Sequence, residues 1–458
     1  MKKTISMILA GLVAAGTFSM VGCGAPPIIG GNTTDYEVNL NVDPNTEATL
    51  RILVPNNDGG FEKGLMEALV PGFNEKFPNV KITFDQRTIS DEKYAESIAN
   101  AVASGKAPDL FYTNTVFYYY LVSKNCIIDL NPYYEASEAA GIFDVDVDFY
   151  SSFLNMSSYN GGRYVVPRAA DSVVVMYNTE IFQAAGIDPA TDSRMTNDWT
   201  WEDFLSISRD LKAYFKGDGA KNYGDCYAFQ ASLEWEAVMT TFMNSYGSQA
   251  FDENGEVAFD SAETKEMATM LREVYEEGMM NYYGSPATFN NGKAAMTFTS
   301  GGPAVWDNYP TVRGKFNVMP TPLIGETPSI GCGFAGWGIG AQTEGVQRDL
   351  AWQFLNYMIS QEGQMALINA GQTSPSIRVD FGEQKTWAAG YTNLNLDAYL
   401  VHEQYKVSSK FFIGHDPSCT FDIYTALQDF MKNLTTSTKS VDNLIAVCRD
   451  DLKESVRR

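Results

Sequence analysis

Thr49-Leu50-Arg51-Ile52-Leu53-Val54, followed by the turn residues Asn56-Asn57-Asp58-Gly59-Gly60, is a short aliphatic run closed by turn chemistry, and it predicts a strand ending in a tight loop. Beyond the loop, Phe61, Leu65, Leu69, Phe73 and Phe77 recur every four residues, the spacing of one buried helix face. Pro71-Gly72 falls inside that face and is expected to kink or split the helix, because proline removes a backbone donor. Val80-Lys81-Ile82-Thr83-Phe84 reads as a second strand. Tyr94, Ile98 and Val102 mark the stripe of a second helix, stopped by Gly105 and Pro108. Strands alternating with crossover helices predict an α/β, doubly wound parallel sheet, with any ligand outside the carboxyl ends of its strands.

Upstream of this unit, Met1-Lys2-Lys3 supplies a positive start, Ile5 to Ala15 a short apolar run, and Met20-Val21-Gly22-Cys23 a small-residue cleavage site, the pattern of an export signal. The apolar run falls short of the roughly 20 residues that span a bilayer, and no later run replaces it, so no transmembrane helix is expected. The ending Met-Val-Gly-Cys resembles a bacterial lipobox, with Met20 where Leu is commoner, and implies lipidation of Cys23. Residues 24 to 47, with Pro26, Pro27, Gly30 and Gly31 and no periodicity, read as a flexible stalk.

The chain from Ala48 to Arg458 exceeds one ordinary domain, so two lobes are expected. Asp and Glu number 56 against 33 Lys and Arg, a formal charge of -23. Such a surface repels nucleic acid and anionic lipid and favours neutral or cationic partners. Apart from Cys23, five cysteines (Cys126, Cys226, Cys332, Cys419, Cys448) lie scattered without a C-x-x-C pair, which argues against a disulfide framework or a zinc site. His402 and His415 are the only histidines. His402-Glu403 lacks a second histidine at Lys406, and no G-x-S-x-G elbow is present, so neither metalloprotease nor serine-hydrolase chemistry is supported. Gly331-Cys332-Gly333-Phe334-Ala335-Gly336 fits G-x-G-x-x-G but runs into Trp337-Gly338-Ile339-Gly340, which cannot start a helix, so it reads as a glycine-rich crossing rather than a nucleotide loop. Gly292-Lys293 lacks the upstream glycine of a phosphate loop, since that position is Ala287. No cofactor or metal is called for.

Several segments occur together in a fixed order: Ala103-Ser104-Gly105-Lys106-Ala107-Pro108-Asp109-Leu110-Phe111, Tyr164-Val165-Val166-Pro167, Met176-Tyr177-Asn178, Trp199-Thr200-Trp201-Glu202-Asp203-Phe204, and Phe289-Asn290-Asn291-Gly292-Lys293-Ala294-Ala295-Met296. In that order the chain resembles the extracellular solute-binding family 1, the maltodextrin-binding-like lipoproteins of ABC sugar importers, over nearly its whole mature length. The resemblance implies a two-lobed, type II periplasmic-binding-protein-like fold, a hinge crossed three times, a carbohydrate ligand and ABC permease subunits as partners. The crossings are expected near Gly161 to Val166, within Gly331 to Gly338, and near Gly371 to Pro375. The expected organisation is 1-22 signal, 23-47 stalk, 48-165 plus 337-372 first lobe, and 166-336 plus 373-458 second lobe. A monomer, held to the membrane only through its lipid, is expected, on a Gram-positive outer surface in preference to a periplasm.

A neutral sugar offers hydroxyls, which suit carboxylates, amides and guanidinium groups, and apolar faces, which suit flat aromatic rings. Tyr112, Asn114 and Thr115 follow the strand ending at Phe111 and are expected to face the cleft, whereas Phe117 to Tyr120 are expected to pack their helix. The resemblance adds Trp306 as a stacking position, Asp171 as a hydroxyl acceptor with Arg168 on the same rim, Asp58 as another acceptor, the pair Glu234 and Trp235, and Trp337 at the second crossing. A secreted glycoside hydrolase is the competing reading from another class, since paired carboxylates alone can supply acid and base. A polyamine or peptide ligand is the competing reading within the same fold.

Overall fold

The computed structural model describes residues 36–56, 59–87, 91–409, 415 and 419–457. Cys23, with the signal and most of the expected stalk, and Asp58 lie outside the described residues. Fourteen strands are described: β1 (Ala48–Pro55), β2 (Val80–Arg87), β3 (Leu110–Asn114), β4 (Ser158–Tyr159), β5 (Gly162–Arg163), β6 (Val166–Pro167), β7 (Asp171–Ser172), β8 (Val174–Asn178), β9 (Tyr227–Gln230), β10 (Ala294–Thr299), β11 (Phe316–Pro320), β12 (Ile330–Gly333), β13 (Ala335–Ile339) and β14 (Lys406–Ser408).

The first lobe is built on the sheet β2-β1-β3-β13-β6, in which β1 runs parallel to β2 and β3. Strand alternation sends Leu50, Ile52 and Val54 to one face of β1, where they meet Leu65, Leu69 and Phe73 of helix α1 (Phe61–Lys76) and Leu350 and Phe354 of the helix Gly345–Ile359. Leu53 points to the opposite face, toward Tyr94 and Ile98 of helix α2 (Asp91–Ala103). Both faces are covered, which is why this strand reads as a nearly unbroken apolar run. Strand β13 pairs with β3 antiparallel, Ala335 opposite Asn114 and Ile339 opposite Leu110. It enters the sheet at the carboxyl end of β3, coming from the other lobe, and therefore runs against it.

The second lobe carries the sheet β11-β8-β10-β9, with β8 antiparallel to both neighbours and β10 parallel to β9. On β8, Val174 and Met176 face one core with Trp306, Val318 and Tyr399, while Val175 and Tyr177 face another with Phe182 and Phe204. The segment Trp199 to Phe204 opens the helix Trp201–Lys216 through a capping box: Thr200 and Asp203 exchange side-chain and backbone hydrogen bonds. The Trp199 indole donates to the Pro320 carbonyl at 2.8 Å, and Trp201 stacks on Phe204, so both tryptophans are structural.

A three-stranded sheet, β14-β12-β7, accompanies the crossings: β12 leads into β13 and packs on the helix Glu236–Tyr246. Val166 and Pro167, expected in the second lobe, pair with β13 in the first-lobe sheet, so the chain leaves that lobe after Pro167 rather than between Gly161 and Val166. Helix α1 runs through Pro71 as one helix, so of the expected kink or split the split does not occur. Phe61 also departs from expectation: four members of its stripe are buried, but Phe61 is 37% exposed at the strand ends. The part of the stalk from Tyr36 onward is docked on the first lobe. Tyr36 packs against Tyr133 and lies under the Arg348 guanidinium, Gln353 donates to the Leu40 carbonyl, and Val42 is buried. Among the described residues no helix is long and apolar enough to cross a membrane, and no group of three or more His, Cys, Asp or Glu is placed to hold a metal. The five described cysteines are buried and unbridged.

Candidate ligand-binding site

The carboxyl ends of β1 and β3 open toward the crossing strands, and the register of β12 and β13 decides which side chains meet there. Asn114 lies opposite Ala335, the Thr115 hydroxyl accepts from the Phe334 amide at 3.0 Å, and Gly333 lies opposite Asp171. One short stretch thus brings Tyr112, Asn114 and Thr115 of the first lobe beside Asp171 of the crossing. A Cβ on Gly333 would stand 3.1 Å from the Thr115 hydroxyl and 3.9 Å from Oε1 of Glu236, which places the start of the helix Glu236–Tyr246 at the same spot. Glu234 and Trp235 immediately precede that helix, and both are half-buried. The site therefore takes residues from both lobes.

Its members differ in how they face solvent. Tyr112, Asn114, Asp171, Glu234 and Trp235 are partly accessible, the condition for touching a ligand, whereas Thr115 is buried and holds the second crossing in place. Burial pushes the Glu234 carboxyl above its ordinary value. Gln428 donates to the Glu234 carbonyl, and the Tyr424 hydroxyl donates to Oε2 of Glu236 at 3.3 Å. Burial and then the Glu236 charge push the Tyr424 hydroxyl well up, so it remains a donor. Across the opening, Tyr120 of helix α3 (Tyr118–Ser123) meets Phe421 of the helix Thr420–Thr436 at 5.6 Å between ring centroids.

Three expected site residues are placed elsewhere. Trp337 is 0% exposed; its indole lies in the first-lobe core, edge-on beneath Tyr112 at 5.9 Å, and so braces that ring without presenting a face of its own. Trp306 is 6% exposed and packed between Phe289 and Tyr309 in the second-lobe core, because its short helix turns the indole toward β8 and β11. Arg168 is buried and bound to Glu62, with Nη2 to Oε1 at 2.6 Å and Nε to Oε2 at 3.0 Å, so its guanidinium is not on an open rim. Residues that the sequence reading passed over are Phe61, Glu236 and Tyr424. Glu236 had a signal, as an acidic residue directly after Glu234-Trp235 at a helix start; Tyr424 lies far along the chain and had none.

The crossing glycines fall into two kinds. Gly371 has φ of 102°, a backbone that side-chain-bearing residues rarely adopt. Gly331 is extended but packed so closely that a Cβ would meet the Ala237 carbonyl oxygen at 1.7 Å.

Comparison with known proteins agrees with this architecture. Residues 58–365 match the family model of bacterial extracellular solute-binding proteins. An arabinooligosaccharide-binding protein of Halalkalibacterium halodurans is 24% identical over 315 residues, covering 65% of each chain. The sn-glycerol-3-phosphate-binding periplasmic protein UgpB of Escherichia coli K12 is 26% identical over 246 residues, 52% of this chain and 53% of that one. The match thus spans between about half and about two thirds of the length of these curated relatives. Among solved structures, UgpB from Mycobacterium tuberculosis with glycerophosphocholine superposes with a TM-score of 0.70 at 16% identity, over 89% of this chain and 98% of that one. An ABC substrate-binding protein from Listeria monocytogenes in complex with cycloalternan gives 0.67 at 18% identity, over 89% and 99%. With the family model covering most of the chain, and with two lobes, an antiparallel return strand and a three-stranded crossing, this protein belongs to the bacterial extracellular solute-binding protein family.

Proposed function

We propose that the chain captures a carbohydrate, specifically an oligosaccharide, in the cleft between its lobes and presents it uncut to ABC permease subunits. The observation that carries this reading is the meeting of half-buried rings and hydrogen-bonding groups from both lobes, Tyr112 and Asn114 on one side and Asp171, Glu234 and Trp235 on the other. Rings offer a surface to the apolar face of a sugar, and carboxylate and amide oxygens accept from its hydroxyls. The arabinooligosaccharide-binding relative and the cycloalternan-bound neighbour support this substrate class. Asp58, which follows β1 in the sequence, is proposed as a further hydroxyl acceptor.

The direct test against a hydrolase is recovery. The protein is incubated with arabino- and malto-oligosaccharides, separated from free sugar, and the retained glycan is identified by mass spectrometry. Retention of intact glycan is expected; shorter products would assign the glycosidase reading instead. Lipidation of Cys23 is part of the proposal, supported by the Met20-Val21-Gly22-Cys23 ending. A Cys23→Ala variant is expected to leave the membrane fraction in the host; one that stays in it would remove the anchor from the account.

A further inference from the structure

Arg168 stands where the three crossings meet. Its amide donates to the Ala335 carbonyl of the second crossing at 3.1 Å, and its own carbonyl accepts from Gln364 Nε2 at 3.2 Å. Gln364 Oε1 in turn accepts from the Ser376 hydroxyl at 2.7 Å, and Ala170 donates to the Pro375 carbonyl at 2.9 Å, which ties in the third crossing. From this knot the guanidinium reaches out of the crossing to Glu62, in the first turn of α1, through the paired contacts given above. Both residues are buried, each 6% exposed. Phe61, the neighbour of Glu62, is exposed, with its ring 5.8 Å from the guanidinium carbon.

A buried ion pair is a weak source of stability, because desolvation of two charges offsets most of their attraction. Its fixed fork geometry is a strong source of position. Burial alone would depress the Arg168 pKa, but Glu62 and then Asp171 outweigh it and hold the group charged. We infer that Arg168 is a positioning residue that couples all three crossings to the first turn of α1, fixing the angle between the lobes and the place of Phe61 at the cleft, and that it is not a receptor for an anionic ligand. The inference rests on the cleft reading only for Phe61; the interlobe angle is measured without any ligand, so the two can fail separately.

Spin labels on Glu75→Cys in α1 and Glu273→Cys in the second lobe, both exposed positions, report the interlobe distance by pulsed electron resonance in a Cys23→Ala background, the five described cysteines being buried. The double change Arg168→Met with Glu62→Leu removes both charges together. It is expected to melt within a few degrees of the parent while its distance distribution broadens or shifts. An unchanged distribution would overturn the inference. Should that variant not fold, Arg168→Lys keeps the charge but loses the fork, and the same broadening is expected; an unaltered distribution would again count against it. In the parent, inorganic phosphate and sn-glycerol 3-phosphate are expected to leave the melting temperature unchanged at constant ionic strength. Stabilisation by either anion that disappears in Arg168→Lys would make Arg168 an anion receptor and overturn the inference.

Discussion

Tyr112 rests edge-on against the buried Trp337 indole and has Asn114 two residues farther along the same strand face, so one ring is held for contact while the other does the holding. Truncation should therefore separate them. Tyr112→Ala and Trp235→Ala are expected to weaken oligosaccharide binding tenfold or more, a loss of about 1.4 kcal/mol, in isothermal titration. Trp337→Ala instead leaves a core cavity and is expected to cost about 3–5 kcal/mol in urea unfolding. Lys406 gives a second prediction at this scale. It is buried on β14 with its ammonium donating to the Tyr399 carbonyl at 2.7 Å, and burial pulls its pKa from an ordinary 10.5 down to about 8. The unfolded chain keeps that proton to higher pH than the folded one. Below about pH 8, then, the folded state bears the full cost of the buried charge, and the cost falls as pH rises toward 10.5. Charge burial costs about 3 kcal/mol at pH 7, and losing the Tyr399 hydrogen bond costs about 1. Lys406→Met is expected to be more stable than the parent by about 2 kcal/mol at pH 7, with the advantage gone near pH 10. An advantage that does not change with pH would show that the lysine is not buried as described.

Elements enter at the crossings, where strands are packed backbone to backbone. Gly331 lies against Ala237, and an added methyl cannot be accommodated without moving β12 or the helix Glu236–Tyr246. Gly331→Ala is expected to destabilise by about 1–3 kcal/mol and to weaken binding as well, because that helix start carries Glu236. Unfolding and titration on one sample check both. The alternation of strand and helix was legible in the sequence because both faces of the first-lobe sheet are covered, giving the aliphatic run from Leu50 to Val54 and the stripe from Leu65 to Phe77. The unbroken passage of α1 through Pro71 was not, since one lost hydrogen bond on an exposed turn is outweighed by the burial of Leu65, Leu69 and Phe73. Nor was the burial of Trp306 and Trp337. A tryptophan beside a crossing looks the same in sequence whether its strand turns it to the core or to the cleft; register puts Tyr112 directly opposite Trp337, and what distinguishes them is burial, complete for Trp337 and partial for Tyr112. Arg168 misled for a related reason: its partner Glu62 is more than a hundred residues away.

For the whole molecule, two lobes joined by three short crossings leave a cleft whose walls come from distant parts of the chain, Tyr112 and Asn114 from one side and Glu234, Trp235 and Glu236 from the other. A ligand bridging those walls binds the folded chain and not the unfolded one, and at 100 times its dissociation constant stabilises it by about 2.7 kcal/mol. The surplus of acidic over basic side chains repels anions such as phosphates at long range and leaves neutral sugars unaffected. Among the curated relatives both ligand kinds occur, so the distinction has to be measured on this chain. The decisive measurement is the melting temperature of the purified protein against a panel of mono- and oligosaccharides, sn-glycerol 3-phosphate, polyamines and peptides. An upward shift of at least a few degrees is expected with one class of oligosaccharide, and its loss in Trp235→Ala. A shift with glycerol phosphate, a polyamine or a peptide and none with any sugar would contradict it.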